Sequence, residues 1–276
     1  MTLAKRGNIG LLSNYVPALA VSVSFCVMCG CGRQPTRDDA MTEPMTPPVI
    51  TMLRTDTPLT VQAPQWEGMA VYPMALNQPE TAAGAKLHEP GEARFAFDDQ
   101  AIYLHVRFHD RDVATLATQN DEGIYKYGDL AEWFIGTPPG PEGEPGVYLE
   151  MHAAPNGECR AYRVQRPGVN ERLTPIPFKI EIAIDGSLNR RSDTDRAWSA
   201  QFTLPWAVLE ALDPNVTDRA ALKRSLSTLV GRYNYGRHLL YGKDGAAGPE
   251  MTMWPPQPRT RFHLRPFHAP ISFEDE

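Results

Sequence analysis

The sequence predicts an all-β protein, an antiparallel β-sandwich of jelly-roll character with one or two short helices. Three observations predict it. Segment after segment beyond residue 90 places apolar residues at every second position, the period of a half-buried strand. Proline (26 residues) and glycine (21) are frequent, which favours turns over long helices. Hydrophobic residues are 42% and charged residues 22% of the chain, an ordinary globular balance, so a full apolar core can be built.

The elements follow in chain order. Lys5 and Arg6 precede an apolar stretch from Ile9 to Met28, and Cys29-Gly30-Cys31-Gly32 follows; charge, apolar run and small residues in that order form an export signal over residues 1–30. Its continuous apolar part, Val16 to Met28, is shorter than the ~18–20 residues that cross a bilayer. Residues 31–52 show no periodicity and read as a flexible tether, which leaves 53–276 as one folded domain. Within it, Arg94 to Phe97 leads through Asp98-Asp99-Gln100 into Ile102, Leu104, Val106 and Phe108, a hairpin with one apolar face. Leu130 to Ile135 is a short strand. Val147, Leu149, Met151 and Ala153 alternate with Tyr148, Glu150 and His152, and Pro155-Asn156-Gly157 turns the chain into Cys159 to Val164. Phe178 to Asp185 and Trp198 to Leu204 alternate in the same way. Pro205 then opens a helix that runs to about Leu212, and Ala220 to Leu226 adds a turn or two. Leu229 to Tyr235 and Phe262 to Phe273 close the domain as strands.

Composition excludes some functions. A net charge of −6 repels phosphate backbones, so nucleic acid is not expected as a partner, and polyanionic glycans are disfavoured for the same reason. Three of the four cysteines, Cys26, Cys29 and Cys31, lie at the N-terminus; Cys159 stands alone in the body, so no disulfide forms within the domain. No P-loop, dinucleotide fingerprint, His-Glu-x-x-His or Gly-x-Ser-x-Gly is present, and the chain is not expected to be an enzyme. His88, His105, His109 and His152 show no metal-binding spacing, and ordinary histidines on solvated strand faces account for them.

Several pieces in order carry a resemblance. Ala93 to Asp112 forms a hairpin ending in Asp-x-Asp, and Tyr127-Gly128-Asp129 is followed by Glu132. Tyr148-Leu149-Glu150 precedes Asn156-Gly157, and Trp198 precedes Leu204-Pro205-Trp206. Arg232-Tyr233-Asn234-Tyr235, Met253-Trp254-Pro255 and Phe262-His263 with Pro266 complete the series. Together, over about residues 56–274, they resemble the family 9 carbohydrate-binding modules, with Gln201 and Met253 where that family usually has Glu and Ser. The resemblance implies a β-sandwich that binds sugar between two aromatic rings, structural calcium, and the company of glycoside-degrading enzymes in polysaccharide breakdown. Carried over, the rings are Tyr125 or Tyr127 and the late Trp254, which its neighbouring prolines place on a loop. Likewise Gly30-Cys31 resembles the processing site of bacterial lipoproteins, implying lipidation at Cys31, or at Cys29 in the alternative. The protein is then extracytoplasmic and touches the membrane only through its anchor; a plain cleaved signal is the other reading.

Sugar binding needs flat apolar plates for the pyranose face and polar groups for the hydroxyls. Arg232, Asn234, Glu150 and Arg237 are the hydroxyl-binding candidates, although solvated strand faces carry the same residue types. Asp110 and Asp112 are the candidate calcium ligands; turn aspartates explain them equally well. Trp133, Trp198 and Trp206 read as core, and Trp66 stays undecided. Two alternatives remain beside sugar binding: a structural or assembly lipoprotein that keeps the sandwich but not the site, and a glycoside hydrolase using Glu132 and Glu150 as its carboxylate pair.

Overall fold

The computed structural model describes residues 46–76, 86–137, 146–166, 168–213, 218–236, 248–257 and 262–274. The export signal, Cys29, Cys31 and Arg237 lie outside the described residues, as does the tether up to residue 45.

The strands are β1 (Ile50–Arg54), β2 (Tyr72–Pro73), β3 (Ala75–Leu76), β4 (Gly91–Phe97), β5 (Ala101–His109), β6 (Leu130–Gly136), β7 (Tyr148–Ala153), β8 (Cys159–Arg166), β9 (Val169–Arg172), β10 (Lys179–Asp185), β11 (Ala197–Pro205), β12 (Ser227–Asn234), β13 (Glu250–Trp254) and β14 (Ala269–Glu274). Two short helices, α1 (Trp206–Glu210) and α2 (Arg219–Ser225), accompany them. The strands form one curled sheet in the order β10-β11-β5-β4-β1-β14-β12-β6-β7-β8-β9, with β13 and β3 added beside β12 and β2 beside β4. Folding this ribbon over itself gives the expected all-β sandwich. All pairings are antiparallel except those of β1, which runs parallel to both β14 and β4.

Alternation puts one row of each strand inside. Phe95, Phe97, Leu104, Val106, Phe108, Trp133, Ile135, Met151, Trp198 and Phe202 are fully buried in a core shared by the two layers. Local chemistry sets the hairpins. Asp98 Oδ1 accepts the amides of Gln100 and Ala101, each at 2.7 Å, and Tyr103 donates its hydroxyl to Oδ2 at 2.6 Å, which closes the β4–β5 turn. Trp206 anchors α1 by donating Nε1–H to the Asp98 carbonyl at 2.8 Å. Asp218 caps α2 by accepting the Ala221 amide at 2.6 Å.

Three boundaries differ from the sequence expectation. The domain begins at Ile50, inside the expected tether of 31–52, because Ile50 and Met52 are buried as β1; two apolar residues after a proline-rich run are too few to show a period. The stretch before Ala269 is not strand but a 3₁₀ turn, Arg265–Phe267, opened by Pro266. Trp254 ends a true strand, because β13 contains no proline and Pro255 and Pro256 come after it.

Candidate functional site

Of the seven residues read as sugar ligands, the six that are described separate into three places. Trp254 points into the core, 6% exposed, and packs on Tyr72 at 4.7 Å between ring centroids. Tyr125 packs instead on Tyr233 (5.6 Å) and edge-on to His152 (6.3 Å), in a different apolar cluster. The expected pair of facing rings is therefore not formed by Trp254, which a strand residue of inward register cannot supply.

Arg232 and Asn234 share that inward register on β12 with Val230 and are fully buried. Arg232 donates to the carbonyls of Glu89 (2.8 Å) and His109 (2.9 Å) and to Asp110 Oδ2 (3.1 Å), and its guanidinium covers the Phe108 ring. Asn234 donates to Glu89 Oε2 at 2.6 Å. Glu250 accepts the amides of His88 and Glu89 at 2.7 and 3.1 Å. These groups fasten β12 and β13 to the segments flanking β4 and β5; they are structural ties, not hydroxyl ligands. Asp110, expected as a calcium ligand, accepts the Asp112 amide on Oδ1 (2.9 Å) and Arg232 on Oδ2 (3.1 Å), which makes it part of the same buried tie. Trp66, undecided from sequence, is buried too: it stacks on His105 and bonds Gln201.

Glu150 lies elsewhere, on the outer face of the β12-β6-β7-β8 layer. Register builds that face in rows. Met253, Gly231, Glu132, His152 and Arg160 stand side by side across β13, β12, β6, β7 and β8, and Leu229, Phe134, Glu150 and Tyr162 form the next row. His152 Nε2 lies 2.9 Å from Glu150 Oε1 and 3.2 Å from Glu132 Oε1. Tyr148 meets His263 Nδ1 through its hydroxyl at 2.6 Å, and the same ring nitrogen lies 3.9 Å from Glu150 Oε2. A chain of polar groups thus runs from half-exposed His263 inward to buried Glu132. Tyr125, Tyr162 and Tyr233 wall the cluster, and Tyr127, two residues beyond Tyr125 in the chain, is 44% exposed.

Burial sets the electrostatics of this group. It pushes the Glu132 carboxyl up to about 8, and the charge of Glu150 adds to that, against the pull of His152. Burial opposes the charge on His152, but the two carboxyls outweigh it and raise the imidazole. Burial likewise works against Glu150, but its hydrogen bond to His152 prevails and holds it low. Glu132 and Glu150 converge on one imidazole, the three donor atoms lying within 4.8 Å of one another.

Sequence reasoning had Glu150 and Tyr125 but missed His152, Tyr162 and Tyr233 as their neighbours. Alternation put Glu150 and His152 on one face; only strand register sets Glu132 beside them.

No protein-family model matches the chain, and no curated protein matches it. Solved structures do. A candidate carbohydrate-binding protein from Bacteroides uniformis is 14% identical over 82% of this chain and 99% of its own, with a TM-score of 0.56, and shares the sandwich. A family 9 carbohydrate-binding module from Caldicellulosiruptor kristjanssonii, in complex with cellotriose, is 10% identical over 82% of this chain and 95% of its own, with a TM-score of 0.48. The same organism's family 9 module with glucose gives 8% identity over 82% and 96%, with a TM-score of 0.45.

Proposed function

We propose that this protein is a non-catalytic carbohydrate-binding protein whose ligand is a neutral sugar held on the outer face of β6, β7 and β8. The observation that carries the reading is the convergence of Tyr125 and Tyr162 around Glu150 and His152, with exposed Tyr127 two residues along the chain from Tyr125. Phenol rings supply the apolar plates and the carboxylate accepts hydroxyl protons, the two things a pyranose needs. The sandwich shared with the Bacteroides protein supports it. The N-terminal sequence completes the proposal: an exported chain anchored through a lipid on Cys31 would display this face outside the cytoplasm, in support of polysaccharide breakdown.

One observation favours a second reading. Trp254, the ring that would pair with a tyrosine, is buried in the core. A structural lipoprotein that keeps the sandwich without the sugar site would look the same there.

Calorimetry and a glycan array with neutral oligosaccharides separate the two. The first reading expects saturable binding that weakens about tenfold in Tyr127→Ala while the fold stays intact. No binding to any neutral saccharide would establish the second.

A further inference from the structure

We infer that Glu132, Glu150 and His152 form a binding site for a single divalent metal ion of the zinc class. Each residue offers one donor atom, and the three atoms lie within 4.8 Å of one another. One imidazole nitrogen and two carboxylate oxygens are donors that zinc takes at about 2.0–2.2 Å in four-coordinate sites, whereas calcium and magnesium favour oxygen alone. The observed separations from His152 Nε2 to the two glutamate oxygens, 2.9 and 3.2 Å, are near the ~3.3 Å edge of a tetrahedron built on such bonds.

A second, independent observation points to a ligand. Glu132 is 3% exposed, yet its Oε2 has no hydrogen-bond partner among the described residues, and Glu150 Oε2 is in the same condition. Buried polar atoms are almost always paired. Without an ion, one imidazole N–H serves two carboxyl groups and their outer oxygens are left over. A cation at the centre engages both carboxylates at once.

The scaffold suits such a site. Glu132 and His152 are directly opposed on β6 and β7, and Glu150 is two residues from His152 on the same face. Strands hold these positions more rigidly than loops would. Gly231, beside Glu132 on β12, leaves space above the carboxyl: a Cβ there would stand 3.2 Å from both Glu132 Oε2 and the Phe262 ring. Three protein donors leave a fourth position for water or a ligand oxygen, as in open zinc sites.

The test uses the full chain, stripped with EDTA, titrated with zinc chloride and analysed for bound zinc after dialysis. One zinc per chain is expected, with affinity weakened more than about 100-fold in His152→Gln, beyond the cost of losing an outer-shell partner. Because substitution of a buried residue can prevent folding, cobalt(II) substitution of the unaltered chain is the second measurement. It is expected to give tetrahedral visible bands without thiolate charge transfer, abolished by zinc. Three results would overturn the inference: no zinc retained by the folded chain, unchanged affinity in folded His152→Gln, or a cobalt spectrum made only by thiolate ligands. Sugar binding is read in none of these arms, so the outcome is separate from the carbohydrate proposal.

Discussion

Trp254 and Tyr72 pack together inside the sandwich, ring planes at 58°, and Tyr72 is held there by exchanging two hydrogen bonds with the Thr51 backbone at 2.8 and 3.2 Å. Four strands, β1, β2, β4 and β13, meet at this contact. Trp254→Ala is therefore expected to destabilise the fold by about 3–5 kcal/mol, as loss of a buried aromatic does. Urea unfolding measures it. Unchanged stability with lost sugar affinity would restore Trp254 to the ligand site.

Arg232 is the only cation hydrogen-bonded to Asp110 among the described residues, and both side chains are fully buried. Arg232→Met leaves that carboxylate without its compensating charge, whereas Glu89 keeps Arg111 at 3.1 Å. A loss of about 3–5 kcal/mol is expected. Adding Asp110→Asn should return part of it, which a double-mutant cycle in denaturant reads directly.

Gly128 sits at φ +145°, and a Cβ there would stand 2.3 Å from the Ala114 carbonyl oxygen. It bridges to Thr115, and next to it buried Asp129 accepts the amides of Ala114 and Tyr235, both at 2.7 Å. Gly128→Ala is expected to cost at least about 1–3 kcal/mol and to loosen the loop bearing Tyr125 and Tyr127. A crystal structure or amide exchange of the variant checks the loop; an unshifted melting temperature would contradict the strain.

Burial holds the His105 imidazole down to about 4, and the charges of Arg94 and Arg107 work in the same direction. The unfolded chain takes up this proton near 6.5, the folded chain only near 4. Stability attributable to His105 is therefore complete above about pH 6.5 and lost as pH falls toward 4, with a slope of at most about 1.4 kcal/mol per pH unit. Urea titrations of wild type and His105→Gln across that window should diverge with falling pH. Parallel curves would show that His105 is not buried in its neutral form.

Some of the site was legible from alternation. Tyr148, Glu150 and His152 were readable as one face of one strand, and the Asp98 and Asn156 turns as chain reversals, because period two and turn chemistry act between near neighbours. Arg232 and Asn234 were misassigned for a related reason: alternation told that they share a face but not which face is inside. Gly231 and Tyr233 look no less suited to the interior in sequence.

What the sequence determined alone was the all-β class, most strand positions and both helices, each of which is a matter of local period or composition. What only tertiary structure decided was partnership. Trp254 met Tyr72 rather than Tyr125, and Glu132 met His152, because strand order and register join residues tens of positions apart through packing energies that no local window contains.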